Sequence, residues 1–222
     1  MDQIWTYRPD DFLLFSPDVY SRLFLLHNAD FWWIAAVPLV FTAILGSLLG
    51  RSGKERSPAM MLGLALGSGW ITVGAAFFLV SYRSINWTAP YVLPLFIAAG
   101  LLLMAAALRG RFTGRVSPVR RAAGGALLLY GFVFHPLLLL LLGRPPAQLE
   151  FAFLAPDPTA IASLGLLLFG TGWLCRSAFL LALIWCGLSW LTLNTLGLAE
   201  ALLPAGAALL AMASAALGRQ GS

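Results

Sequence analysis

Charge is what this sequence has least of: 14 Lys and Arg with 9 Asp and Glu make 10% of its 222 residues, where water-soluble domains carry about a quarter. With 60% apolar residues and a mean hydropathy of +0.86, no water-soluble domain of this length could hide its apolar surface. Histidine occurs only at His27 and His135, and cysteine only at Cys175 and Cys186. Both cysteines lie in one apolar stretch without CxxC spacing, which favours inert packing over a disulfide or a metal site. There is no HExxH, no glycine-rich phosphate loop, no GxSxG, no pair of intramembrane carboxylates and no Cys/His cluster. Hydrolase, kinase and metalloprotease readings therefore lose their support, and no catalytic or metal-ligating residue is assigned. Repeats, low-complexity tracts, linkers and a soluble domain are lacking too, so residues 1–222 read as one integral membrane domain. The start, Met1-Asp2-Gln3-Ile4-Trp5, lacks the positive end and cleavage site of a secretory signal and is expected to be retained.

What is present is a series of apolar runs. A bilayer core about 30 Å thick needs roughly 20 apolar residues in a helix, which satisfies its own backbone in lipid. Seven segments qualify: Phe31–Gly50, Ala59–Tyr82, Ala89–Leu108, Ala122–Leu142, Ala160–Leu174, Ala178–Leu198 and Ala201–Leu217. The fold class is an all-α, polytopic transmembrane bundle over 31–218, preceded by an outer segment, 1–30. The fifth and seventh runs are short, so a six-span alternative, in which one dips in and returns, stays open. Gly170-Thr171-Gly172 could break the fifth.

A net charge of +5 and a pI near 9.8 would suggest nucleic acid for a soluble protein. Here the bases cluster in short loops, which is a topology signal with no nucleic-acid partner implied. The first, third and fifth connections carry Arg51, Lys54, Arg56, then Arg109, Arg111, Arg115, Arg120, Arg121, then Arg176. The other face has only Arg83 and Arg144 in its connections, beside Glu150, Asp157 and Glu200. The odd loops are thus cytoplasmic, the acidic N-terminal segment (Asp2, Asp10, Asp11, Asp18 and Asp30 against Arg8 and Arg22) is outside, and seven spans bring Arg219 inside.

Ser16-Pro17-Asp18 reads as a helix start: a capping hydroxyl, proline at the first position and an acid at the positive dipole end. A short helix follows with Val19, Tyr20, Leu23, Phe24 and His27 on one face, suited to the outer interface or to packing on the bundle. This reading leaves His27 outside the core.

His135, before Pro136, is the one histidine well inside a span. Pro136 frees a carbonyl one turn earlier, which the imidazole or a water could satisfy; proton relay, ligand contact or haem or pigment ligation are the alternatives. No cofactor is otherwise implied. Arg83, Asn86, His135 and Asp157 approach the outer face, with Asp30, Asn194, Trp32, Trp33, Trp87 and Trp190 near them, and form a candidate polar pocket in which Arg83 and Asp157 could pair. Interfacial tryptophans, a snorkelling Arg83 and a helix-starting Asp157-Pro158-Thr159 account for the same residues. Gly63-x-x-x-Gly67, with Ser68, Gly69 and Gly74, gives the second span a close-packing face, as do Ala205, Ala208, Ala211 and Ala215 in the last.

Leu26-His27-Asn28 before a tryptophan-bearing first span, Arg83-Ser84-Ile85-Asn86 closing the second, Leu129-Tyr130 followed by His135-Pro136-Leu137, and Pro156-Asp157-Pro158-Thr159 opening the fifth together resemble a bacterial membrane family, domain of unknown function 6064. The resemblance runs from about residue 10 to the last span. It implies a bacterial inner-membrane protein and brings no reaction with it. Three positions depart from the family pattern: Phe77-Phe78 for Tyr-His, His135 for a tyrosine, and Asp157 for a cysteine.

Two functions fit these observations. One is an accessory or assembly subunit of a larger membrane complex, its partners the bilayer and other membrane subunits. The alternative is a small-solute facilitator that uses the outward polar pocket; the sparse interior charge argues against an ion-coupled pump.

Overall fold

The computed structural model describes residues 15–51, 57–112, 114 and 116–218, and every regular element among them is helical. The expectations placed on Asp2, Arg8, Asp10, Asp11, Lys54, Arg56, Arg115 and Arg219 fall outside the described residues. Helix α1 (Pro17–Phe31) opens on Ser16, whose Oγ accepts from the Val19 N–H at 3.4 Å, with Asp18 in its first turn. A single 3₁₀ turn, Trp32–Ala35, carries it into α2 (Ala36–Arg51), so that lead-in and span form one apolar stretch, Pro17–Leu45. The face presented by Tyr20, Leu23, Phe24 and His27 is buried, whereas Val19 is exposed.

The same Ser-Pro device starts two further helices. Ser57 caps α3 (Pro58–Val73) by accepting from the Met60 N–H at 3.1 Å, and Ser117 caps α5 (Pro118–Leu129) by accepting from the Arg120 N–H at 3.4 Å. Proline at the first position loses nothing, because that N–H has no partner within the helix. α3 runs on as a π-helical stretch, Gly74–Ser81, and a 3₁₀ turn, Tyr82–Ser84. α4 spans Ala89–Leu108. α5 widens into a π turn, Tyr130–Phe134, before α6 (His135–Leu141), and the His135 N–H reaches five residues back to the Tyr130 carbonyl. That wider turn sits just before Pro136, which has no N–H to offer.

Among the described residues, six stretches are long and apolar enough to cross a bilayer: Pro17–Leu45, Pro58–Ser84, Ala89–Leu108, Pro118–Leu141, Gly172–Thr195 and Ala199–Leu217. The expected fifth span, Ala160–Leu174, is not one of them. Helix α7 (Pro156–Leu167) has 12 residues, a length of about 18 Å at 1.5 Å per residue. The chain then turns at Gly172, with φ of +83°, into α8 (Gly172–Thr195), so the break falls within Gly170-Thr171-Gly172. All of α7 from Pro156 to Leu167 is buried, packed on α3, α5, α8 and the last helix, α9 (Leu202–Leu217). A helix wrapped by protein has no need of bilayer length, and hydropathy counts apolar residues without telling which solvent surrounds them.

The two ends of this segment are tied to different parts of the bundle. The Gly170 carbonyl accepts from Arg120 Nη2 at 3.2 Å, and the Thr171 N–H donates to the Arg111 carbonyl at 3.0 Å, both in the region joining α4 to α5. The start of α7 is held instead by the later half of α8, described below.

Aromatic rings fill the core, with Trp70 4.5 Å and Phe78 4.6 Å from Phe96 by ring centroid, and Phe24 5.3 Å from Phe77. Cys175 and Cys186 are free thiols, both buried. Two glycines let the backbones of α3 and α4 meet: a Cβ on Gly67 would lie 2.8 Å from the Gly100 carbonyl oxygen, and one on Gly100 2.5 Å from that of Gly67. Gly63, the other half of the GxxxG pattern, faces Ala107 and Phe112 instead. Because backbone cannot step aside as a side chain can, Gly100→Val should cost about 1–3 kcal/mol by overpacking. Gly125→Ala in α5, where an added Cβ meets nothing within 4 Å, should gain about 0.5–1 kcal/mol. Thermal unfolding of the purified variants in mild detergent measures both.

Candidate functional site

Burying a guanidinium is possible only when carboxylates come with it, because its pKa is too high for it to be discharged. Arg144, just past α6, is 7% exposed and meets this condition with two acids. Its Nη1 donates to Glu150 Oε1 at 2.8 Å within the same connection. Its Nε donates to Glu200 Oε1 at 2.7 Å, and Nη2 to Glu200 Oε2, a two-armed grip on the corner between α8 and α9. The guanidinium also lies over two rings of α1, 5.8 Å from the Tyr20 centroid and 5.3 Å from that of Phe24. A delocalised cation suits aromatic faces, so this one side chain ties together α1, the α6–α7 connection and the α8–α9 corner.

Helix α1 pins the same connection with its polar residues. Asn28 Nδ2 donates to the Ala147 and Leu149 carbonyls at 3.0 and 2.9 Å. His27 Nε2 lies 3.1 Å from the Leu154 carbonyl and Nδ1 2.7 Å from Ser81 Oγ. A carbonyl can only accept, so Nε2 carries the proton, and in the neutral ring Nδ1 accepts from the Ser81 hydroxyl. His27 is 1% exposed, which corrects the expectation that it stays outside the core. The ring of Phe77 stands edge-on to it at 5.3 Å.

Asp157, in the first turn of α7, is 3% exposed. Trp185 Nε1 donates to its Oδ1 at 2.8 Å and Ser189 Oγ to its Oδ2 at 2.6 Å. Thr159 and Ser163 continue the polar line down α7: Thr159 Oγ1 accepts from the Phe153 N–H at 2.8 Å, and Ser163 Oγ accepts from Trp70 Nε1 at 2.8 Å. Phe153 has φ of +72°, a conformation that non-glycine residues seldom adopt, and this threonine holds its backbone there.

His135 is 2% exposed, and neither ring nitrogen has a hydrogen-bond partner. Its Nε2 is 3.6 Å from Glu150 Oε2, too long for a hydrogen bond. The imidazole therefore does not satisfy the carbonyl freed by Pro136, contrary to one expectation from the sequence. The ring of Tyr130 stands edge-on at 5.9 Å, and its hydroxyl is also buried without a partner.

The four residues of the expected pocket lie in different settings. His135 and Asp157 are buried side chains in this polar end of the bundle. Arg83 is exposed, and no salt bridge among the described residues involves it; the acceptors of Asp157 are taken by Trp185 and Ser189. Asn86 serves the backbone, its Oδ1 accepting from the Thr88 N–H at 2.9 Å and from the Thr88 hydroxyl at 2.7 Å, while Nδ2 donates to Tyr82 Oη at 3.2 Å. Trp32, Trp33, Trp87 and Trp190 are exposed. A cavity of about 20 Å³ between Tyr20, Phe77, Tyr82, Trp185 and Ser189 has room for a single water. Among the described residues, no group of three or more His, Cys, Asp and Glu side chains converges as a metal site would require.

Arg144, Glu150 and Glu200 were the residues hardest to see in advance. Arg144 is the one base in the α6–α7 connection and stands between strongly apolar segments, which is the local signal for it; Glu200 has none.

Removing the cation leaves two buried carboxylates unpaired, so Arg144→Met should lose about 3–5 kcal/mol of stability. Arg83→Ala should leave the melting temperature unchanged, whereas Asp157→Ala should lower it. Burial alone would raise the Glu150 carboxyl, but the Arg144 guanidinium beside it prevails and holds it below its ordinary 4.5. A depressed carboxyl stabilises the fold fully above that ordinary value and loses the contribution as pH falls through its lower folded value. Melting temperature should thus decline below pH 4.5, and Glu150→Gln should flatten the decline; equal slopes would contradict this role.

Residues 18–220 match the model of one family, described as a family of unknown function, DUF6064. No curated protein and no solved structure matches the chain.

Proposed function

The chain belongs to DUF6064, a family of unknown function, and on that premise we propose that it is an accessory or assembly subunit of a larger complex in a bacterial inner membrane. The observation that carries this reading is the contrast between its first two membrane stretches. In Pro58–Ser84, 78% of the most apolar window is buried within the chain; in Pro17–Leu45 the figure is 11%. Helix α2 packs on α3 and turns Val37, Leu39, Val40, Phe41, Ile44 and Leu48 outward. Of the residues expected to line a solute path, Asn86 and Asp157 are taken up by bonds to their neighbours and Arg83 is exposed. Apolar helix surface is what remains for recognition, and in lipid such surface associates through close packing.

We extend the proposal to topology: seven crossings, with the N-terminal segment outside, α1 near the outer interface and the C-terminus cytoplasmic. The alternation of loop charge supports it, and so do the separate attachments of α7, whose end meets the basic α4–α5 region while its start meets the polar cluster. The short α7 would then be the crossing that lipid never touches.

A photo-crosslinking residue at Val40 of α2, compared with one at Leu180 of α8, tests the subunit reading in native membranes. Val40 should capture the same protein in stoichiometric amount in independent preparations, and Leu180 lipid alone. Lipid adducts at both positions, with a solitary monodisperse protein after gentle solubilisation, would overturn it. A facilitator working through Arg83, Asn86, His135 and Asp157 is the second reading, favoured by the unpartnered nitrogens of buried His135. Solute flux into proteoliposomes, lost in an Arg83→Ala, His135→Ala double variant, would select it instead.

A further inference from the structure

The two ends of the bundle treat their arginines differently. Arg144 at the polar end is matched by two carboxylates. At the other end Arg109, Arg111, Arg121 and Arg176 are exposed, and no salt bridge among the described residues involves them. The described acids lie elsewhere, Asp18 and Asp30 in α1 and Glu150, Asp157 and Glu200 in the polar cluster. Like charges gathered on one surface repel one another, so their counter-charge has to come from outside the chain.

Two of these arginines flank one face of α8. The Thr171 N–H donates to the Arg111 carbonyl at 3.0 Å, which ties the α4–α5 connection to the start of this helix. A Cβ on Gly172 would lie 3.9 Å from Arg111 Nη1, so the guanidinium stands beside the first residue of α8. Arg176 follows one turn on, and residues four apart share a helix face. Leu180 and Ile184 continue the row, and both are exposed, as is Trp173 beside it. Cations at the rim with bare apolar side chains next along the helix form an amphipathic strip. Orientation in the membrane would be served by charge anywhere in the short loops; it does not require two guanidiniums heading one apolar row.

We propose that this strip binds an anionic phospholipid, its phosphate at Arg111 and Arg176 and an acyl chain along Leu180 and Ile184. A guanidinium suits the head because its planar fork offers a phosphate two parallel N–H···O bonds. A free phosphate meets the same cations but leaves the apolar row uncovered, whereas a lipid answers both. The inference rests on the bundle lying in a membrane and is independent of the subunit reading, which concerns α2.

Dioleoyl phosphatidylglycerol and dioleoyl phosphatidylcholine share their chains and differ in net charge. Each is titrated against the purified chain in neutral detergent, and bound copies are counted by native mass spectrometry. A basic residue beside anionic lipid is worth about fivefold in affinity, so the wild type should prefer the anionic lipid by at least about tenfold. Arg111→Gln with Arg176→Gln should lose most of that preference. Arg22→Gln with Arg83→Gln removes the same charge from exposed arginines away from this end and should keep it. Melting temperature in detergent without lipid should be equal in both pairs, which separates lost binding from lost fold. If the first pair fails to fold, Arg176→Gln alone takes its place and should lose about fivefold. The preference should also shrink between about 0.15 M and about 1 M salt, because exposed charges are screened. An unchanged preference in the first pair, or an equal loss in the control pair, overturns the site; displacement of the lipid by millimolar inorganic phosphate overturns a lipid as its occupant.

Discussion

A guanidinium held away from water governs the polar end of this protein. Arg144 cannot shed its charge, so the chain must bring acids to it, and it brings them from 6 and 56 residues further along: Glu150 from the adjoining connection and Glu200 from the corner before α9. Tyr20 and Phe24 then close over the cation from α1. Such an arrangement is a poor source of net stability, since desolvating the charges offsets most of their attraction. Its value is geometric. Only one mutual placement of α1, the α6–α7 connection and the α8–α9 corner satisfies every charge, whereas apolar packing in lipid would tolerate several.

The asymmetry of the bundle follows from the same constraint. Bases concentrated around Arg109, Arg111, Arg120 and Arg121 mark one region, where Arg120 and the backbone of Arg111 secure the turn after α7. Internal bonds among acids, histidine and amide side chains mark the other. Between them the chain relies on rings and on glycines that let backbones meet, as at Gly67 and Gly100. The two ends thus use different physics, ion pairing at one and helix-terminus bonding at the other, around an interior that is nearly free of polar groups except along α7.

Much of this was readable in the residues. Ser16-Pro17-Asp18 announces α1, and the same reasoning applied to Ser57-Pro58 and Ser117-Pro118 would have moved two helix starts to their observed places. The glycines at 170 and 172 announced the break between α7 and α8. Less legible was the environment of each apolar run, because Ile161 and Leu164 beside protein and Leu140 and Leu141 largely beside solvent score alike on any hydropathy scale. The candidate site was legible by half: His135 and Asp157 stand out as polar residues in apolar surroundings, but Arg83 lies near them in the topology and still stays exposed. Pairing between distant charges is a property of the folded chain, and no local pattern announces that Glu200 will meet Arg144.

The complete enclosure of α7 bears on how the protein is made. A segment of 12 residues that never faces lipid has little reason to leave the insertion machinery for the bilayer by itself. Its neighbours α8 and α9 lie later in the chain, so α7 must wait, partly housed by α3 and α5, until they emerge. Assembly is then ordered by synthesis: the bundle closes around α7 last, and Glu200 reaches Arg144 only as the final helix arrives. A chain cut short before the α8–α9 corner would leave α7 half covered and the Arg144 guanidinium with Glu150 as its one carboxylate partner.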